Sequence, residues 1–417
     1  MERRSATLNN KNKILMLTER FFPLSARPSA QRYSAFARTI TSHSREIVVI
    51  TKSPISFRSE KTTMIGLNLK KEIPIFDPIV FFLYFLKSIP IIRKHSIGLI
   101  ISTVPKINNA FAGFLLSKLF GIPHIIDVRD YWEAQLLQYP LNKIVPKRLV
   151  SLLTQITSFV YRTATSLITV NETLKRMLRE RGVPCNRIYL IPNGIDTSLF
   201  KPCENEKCVK RLRKKYMLPY PKTVFLYAGS LSEAYKFDVV LKGISHLSKK
   251  NNFVFLIVGR PTLLMPQKRI LQEIERLEVK ETVKVIGPLP VDELAELQRC
   301  CDVGVIPLDD KKFWKCIITL KLFAYLASGL PVLASGPKDG ELEKFLSKYE
   351  VGFFIGKPTP QRFREGFRKF LEEKSRIESM GQRGRKIAEK FYDRYALSQK
   401  IIPIINDLID SSTPERA

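Results

Sequence analysis

IITLKLFAYLASGLPVLAS, residues 317–335, decides how the rest of the chain is read. Thr319 stands where a helix N-cap belongs, apolar positions follow at helical spacing, and Gly329 ends the run. Pro331 then opens PVLAS (331–335), an apolar stretch of strand type without polar alternation. A helix feeding such a strand is half of a β-α-β unit. Lys321 falls in the first helical turn, where the helix dipole disfavours a cation unless an anion lies close by. A phosphate ligand would offset that cost; the plainer reading is a surface lysine whose stem covers apolar neighbours. Ala324 lies one turn later on the same face.

The same alternation runs through the whole chain. In the first half the apolar runs are KILMLT (13–18), EIVVIT (46–51), IGLIIST (97–103), PHIIDV (123–128), SLITV (166–170) and RIYLIP (187–192). In the second half they are TVFLYAG (223–229), FVFLIVG (253–259), VKVIG (283–287), VGVIPL (303–308), PVLAS and VGFFIG (351–356). Strands apolar on both faces and separated by helical segments belong to parallel sheets covered on both sides. The pattern predicts an α/β protein with two doubly wound, Rossmann-like domains facing across a cleft.

Between the sixth and seventh runs lies NGIDTSLFKPCENEKCVKRLRKKYMLPYPK, with three prolines, an Asn-Gly pair and a dense charge run. It divides the chain into an N-terminal domain (1–193), a linker (194–221), a C-terminal domain (222–390) and a terminal helix (391–412) whose apolar face must pack against something. At 417 residues the length suits two or three domains of roughly 150 residues each.

Composition narrows the partners. A net charge of +30, spread over both halves, favours polyanions: nucleic acid, an anionic membrane surface or phosphorylated small molecules. Nucleic acid is disfavoured, because no basic stripe with interleaved aromatics is present. The six cysteines show no metal-binding pattern, and the expectation is a reduced, cytoplasmic protein. The apolar block PIVFFLYFLKSIPII (78–92) is broken by Lys87 and Pro90 and too short to span a bilayer, although it suits a membrane surface or a core helix.

Three strand ends in the second half run into glycine and then a helix: YAGSLSEAYKF, IVGRPTLL and IGPLPVDE. Glycine lets backbone approach a ligand, and a following helix offers unpaired N–H groups to an anion. None is a GxGxxG or Walker A loop, which disfavours a dinucleotide dehydrogenase or a P-loop ATPase.

KILMLTERFFPLSARPSAQR, IISTVPKINNAFAGFLLSKLFGIPHIIDVRDYW, NRIYLIPNGIDTSLFKP and TLKLFAYLASGLPVLAS with Gly340-Glu341, in this order, resemble the GT-B-fold glycosyltransferases of group 1 (family 4). Within it, Asp127, Arg129, Asp130 and Trp132 resemble an Asp-x-Arg-Asp-x-Trp subgroup. The resemblance implies retaining transfer from a nucleotide sugar of UDP or GDP type, without metal or cofactor, to a glycan or lipid-linked acceptor. The pathway it implies is cell-surface polysaccharide or glycoconjugate biosynthesis, with the enzyme cytoplasmic and peripheral on the inner membrane face. It puts Ser230, Arg260, Pro288, Leu289, Lys321 and Glu341 on the donor, Asp127, Arg129 and Asp130 at the catalytic positions, and Glu19 and Arg27 on the acceptor side. It also implies that the terminal helix packs back on the N-terminal domain.

The sequence departs from the family in three places. The paired glutamates with seven residues between them fall on Cys316 and Ala324. The N-terminal Gly-Gly is replaced by Ser25, Ala26 and Arg27, and no histidine falls at the usual sugar-contacting position, a region that Arg129 or Asp130 would occupy. These departures keep a second expectation open: a catalytically impaired relative that binds nucleotide sugar or glycan as a partner subunit.

Overall fold

A computed structural model describes residues 13–21, 28–69, 77–133, 146–247, 252–262 and 265–410. It divides into two α/β units, Met1–Asn193 with Tyr395–Ala417 and Gly194–Arg394. Both carry the parallel-sheet Rossmann-like architecture that the alternation predicts.

The first unit is built on β1 (Lys13–Leu17), β2 (Glu46–Thr51), β3 (Phe57–Arg58), β4 (Thr62–Gly66), β5 (Ile97–Val104), β6 (His124–Val128), β7 (Ser166–Thr169) and β8 (Ile188–Leu190). They form one sheet in the order β3-β4-β2-β1-β5-β6-β7-β8, parallel except for the β3–β4 pair. Its helices are α1 (Pro28–Ser42), α2 (Pro78–Lys94), α3 (Ile107–Phe120), α4 (Lys147–Thr163) and α5 (Glu172–Glu180). The period-two geometry of β1 explains its continuous apolar run: Ile14 and Met16 enter the core under α1, while Leu15 and Leu17 enter the one under α2 and α3. The short, half-exposed strands β3 and β4 carry no such run, which is why the sequence pattern passes over them.

The predicted terminal helix consists of two, Arg394–Ser398 and Ile401–Asp410. Ile401, Ile404, Ile405 and Ile409 bury against Tyr33, Phe36 and Ile40 of α1, so this segment completes the first unit's core.

The second unit holds β9 (Thr223–Ala228), β10 (Phe253–Val258), β11 (Val283–Ile286), β12 (Val303–Pro307), β13 (Val332–Ser335) and β14 (Gly352–Phe354), ordered β11-β10-β9-β12-β13-β14. Every described pair in it is parallel. Around it lie α6 (Glu206–Lys215), α7 (Phe237–Ser245), α8 (Gln267–Arg276), α9 (Val291–Gln298), α10 (Leu320–Ala327), α11 (Glu341–Tyr349), α12 (Pro360–Glu372) and α13 (Lys374–Phe391).

Most of the stretch read as a linker is built into this second unit. Phe200, Leu212 and Leu218 are buried in its core. Arg213 of α6 is buried as well, donating to Asp302 at 2.7 Å and to the carbonyls of Cys300 and Lys222 at 2.9 and 2.6 Å. Cys203 and Cys208 are joined in a disulfide at the start of α6, which corrects the expectation of uniformly reduced cysteines. Within the second unit its first and last residues run side by side, with the Ile195 N–H on the Tyr392 carbonyl at 2.9 Å and the Arg394 N–H on the Ile195 carbonyl at 2.8 Å.

His124, at the head of β6, is fully buried with Nε2 2.7 Å from Ser102 Oγ, and Gly113 of α3 packs onto its ring. Burial pushes its pKa down to about 3. The unfolded chain therefore protonates first, and stability is lost as pH falls below the ordinary histidine value of about 6.5. Between pH 7 and pH 5 the first unit should lose about 2 kcal/mol through this residue, a loss absent in His124→Asn. Of the two tryptophans, Trp132 lies in the first unit and Trp314 in the second, so Trp132 fluorescence in a Trp314→Phe background follows the right transition.

Candidate functional site

In a doubly wound sheet, ligands collect where strand order reverses, at the carboxyl ends of the strands. In the second unit that place is β9 and β12, because the chain runs outward from β9 to β10 and later returns to β9's other side as β12. These strands pair only at Val303–Phe225 and Gly304–Leu226 and then part. The Ala228 N–H, left without a strand partner, donates to Tyr325 Oη of α10 at 2.8 Å. Gly304 is required here, since a Cβ would stand 2.2 Å from the Tyr325 ring.

That anchor sets α10 against the turn after β9 and brings Lys321, one helical turn before Tyr325, to Gly229. Gly229 has φ +144°, and a Cβ there would meet Lys321 Cε at 2.5 Å. Lys321 Nζ donates to Tyr235 Oη at 2.7 Å and lies 4.0 Å from the centre of the Tyr235 ring. Tyr235 packs edge-on against Tyr227, whose hydroxyl donates to the Ser230 carbonyl at 2.6 Å. The loop is tied down on the β12 side, where the Lys236 N–H bonds to the Pro307 carbonyl at 2.8 Å and Lys236 Nζ pairs with buried Asp309 at 3.2 Å. Thr319 takes the N-cap position of α10, yet its side chain caps nothing and its Oγ1 is buried without a hydrogen bond. A fixed cation, a glycine turn and an uncapped helix start are the chemistry of an anion site.

Ser230 is exposed directly beside this point. Arg260 is exposed on the adjoining turn, with its carbonyl bonded to the Leu231 N–H at 2.8 Å. Pro288 and Leu289 follow β11, two strands out from β9, and Glu341 opens α11 beyond β13. Cys316 and Ala324 are both buried, at the end of a 3-10 turn and inside α10.

The candidate residues of the first unit also sit at strand ends. Asp127 of β6 is wholly buried and receives Arg32 Nε and Nη2, each at 3.0 Å, and the Tyr33 hydroxyl at 2.8 Å. Arg129 Nε stands 3.8 Å from Asp127, with its guanidinium 5.2 Å from the centre of the Tyr33 ring. Asp127 thus faces the Arg129 guanidinium at ion-pair range, with no hydrogen bond to Arg129 Nε. Asp130 is only half-buried, and its pKa is raised, first by desolvation and also by Asp127, against the pull of Arg129. Trp132 is locked in the core, and Glu133 pairs with Arg181 at 2.6 Å. Glu19 follows β1 and pairs with Lys52, just past β2, at 3.2 Å. Arg27 lies outside the described residues.

Sequence reading missed Tyr235, Tyr325, Arg32 and Tyr33. Tyr235 and Lys321 are 86 residues apart, and Arg32 and Asp127 are 95 apart, so only the fold joins them. Asp127→Ala would leave the Arg32 charge buried beside two carbonyls, and should cost the first unit about 3–5 kcal/mol, read from Trp132 fluorescence in urea.

Comparison with known proteins agrees with this architecture. The family model for group 1 glycosyl transferases matches residues 209–387, and that for glycosyltransferase family 4 matches residues 34–199. A D-inositol 3-phosphate glycosyltransferase of Acidothermus cellulolyticus is 25% identical over 227 residues, 52% of this chain and 48% of that protein. The chain thus spans about half the length of the curated relatives it matches. Among solved structures, sucrose-phosphate synthase from Thermosynechococcus elongatus superposes with a TM-score of 0.78 at 16% identity, covering 96% of this chain and 100% of that one. Anabaena Alr3699/HepE in complex with UDP-glucose gives a TM-score of 0.68 at 15% identity, covering 95% and 99%. With two family models spanning most of its length and GT-B structures matching its fold, the chain belongs to the group 1, family 4 glycosyltransferases.

Proposed function

We propose that this chain transfers a sugar from a UDP- or GDP-sugar, with retention, to a glycan or lipid-linked acceptor of cell-surface polysaccharide or glycoconjugate biosynthesis. The observation that carries this reading is Lys321, held by Tyr235 over the Gly229 turn at the reversal point of the second sheet. A cation fixed there neutralises charge building on a departing nucleoside diphosphate, and a preorganised cation does so without reorganisation at the moment of reaction. With Lys321 in that role the reaction needs no metal. Ser230 and Arg260 border the same turns, Pro288 and Leu289 would meet the base, and Glu341 the sugar. Arg129 and Asp130 take the catalytic positions, Asp127 positions Arg129, and Glu19 and Arg27 serve the acceptor. The HepE structures, which hold UDP and UDP-glucose, support a nucleotide-sugar donor. A lipid-linked acceptor would bring the enzyme to the inner face of the membrane from the cytoplasm, where its +30 charge favours anionic lipid.

A second reading rests on Ala324 and Cys316: a chain that binds nucleotide sugar or glycan as a partner subunit without turning it over. Ala324 follows Lys321 by three residues on the same helix face and offers no acceptor for ribose hydroxyls.

Thermal unfolding with UDP-, GDP- and ADP-sugars separates these readings from other functions. UDP- or GDP-sugars should raise the midpoint of the second unit, and stabilisation by none of the nucleotides would contradict the transferase reading and leave the subunit reading with glycan alone. Ala324→Glu then divides them. A wild type that transfers sugar removes the subunit reading, whereas a wild type that binds donor without transfer, with turnover gained in Ala324→Glu, supports it. Tyr235→Phe should weaken UDP binding by about two- to tenfold, the size of one lost hydrogen bond of about 0.5–1.5 kcal/mol, while leaving the fold unchanged.

A further inference from the structure

We propose that α2, α3 and α4 of the first unit together form a surface that lies on an anionic lipid bilayer. These helices follow β4, β5 and β6 in the chain and share one face of the sheet: α2 and α3 bury residues in one core, and Phe114 of α3 meets Phe159 of α4 edge-on at 5.9 Å. On α4, Leu149, Leu152, Ile156 and Phe159 recur every three to four residues and are 44, 52, 41 and 50% exposed. They form a single outward apolar stripe. On α2, Ile79, Phe82 and Leu86 form a second, and on α3, Leu115 and Leu119 a third. Of the large apolar side chains that the first unit's described residues expose, all but Ile55 belong to these three helices.

The charge on the same helices names the occupant. None of the three contains an aspartate or glutamate, and exposed Lys87, Lys118, Lys147 and Arg148 stand beside the stripes. A second copy meeting this face through a two-fold axis would set these cations against one another. Anionic headgroups supply their counter-charge, and the acyl boundary beneath takes the apolar side chains. Among the described residues no helix is long and apolar enough to cross a membrane, so the surface would lie along the bilayer. α2 is both a core helix and a surface one: it buries Val80, Tyr84 and Ser88 and turns a separate stripe of Ile79, Phe82 and Leu86 outward.

The proposal shares with the proposed function only the membrane setting of the acceptor, and vesicle binding needs no donor. The test is co-flotation of the full chain with vesicles of phosphatidylglycerol in phosphatidylcholine and with vesicles of phosphatidylcholine alone. Wild type should float with the anionic vesicles, less so as salt is raised, and not with the neutral ones. Leu152→Glu/Ile156→Glu should reduce flotation about tenfold or more, and Lys147→Glu/Arg148→Glu should remove the preference for anionic lipid. Both variants should keep wild-type circular dichroism and UDP-induced stabilisation, so failure of the donor reading would show separately. Absence of flotation at low salt, or equal flotation of wild type and Leu152→Glu/Ile156→Glu, overturns the proposal. So does a wild type that stays in the soluble fraction as a dimer which Leu152→Glu dissociates.

Discussion

Strands β9 and β12 share two paired positions and then separate, and what fills the gap organises the second unit. Tyr325 fills it, taking the Ala228 N–H that no strand can accept. A buried amide without a partner costs about 1–3 kcal/mol, so this bond fixes the depth and rotation of α10. With α10 so fixed, Lys321 has one place to go: over the glycine turn, against Tyr235. Two glycines make the arrangement sterically available, Gly304 under the Tyr325 ring and Gly229 under the lysine stem. The packing of Tyr325 and the placing of Lys321 are thus set by adjacent turns of one short helix.

The first unit uses charge where the second uses shape. Asp127 is buried, and its partners Arg32, Tyr33 and Arg129 supply four contacts within 3.8 Å. Such a cluster is costly to assemble and more costly to break, because removing Asp127 leaves Arg32 buried without its counter-charge. It stiffens the strand end from which Arg129 and Asp130 project. The same unit carries three acid-free helices with exposed apolar stripes.

How far the sequence disclosed this follows from which forces act locally. Strands buried on both faces announce themselves as apolar runs, and all twelve runs appear as strands within about two residues at each end. β3 and β4, at a sheet edge with little burial, left no such mark. Lys321 was visible because a cation at a helix start is locally out of place. Tyr235, its partner, was invisible, being one tyrosine among fourteen with nothing local to distinguish it. Arg213 and Asp302 mislead in the opposite way: a charge run between two domains reads as a solvated linker until an acid 89 residues away is seen to pair with it. Exposure was the least legible property, since the α4 stripe and a core stripe have the same periodicity.

In the proposed reading Lys321 meets the diphosphate and nothing else of the donor. Titration of wild type and Lys321→Ala with UDP and with uridine separates the two parts of the ligand. Lys321→Ala should lose about tenfold or more in affinity for UDP, the size of a charge-assisted hydrogen bond, and keep its affinity for uridine. Equal losses for both ligands, or unchanged binding of UDP, would contradict that reading.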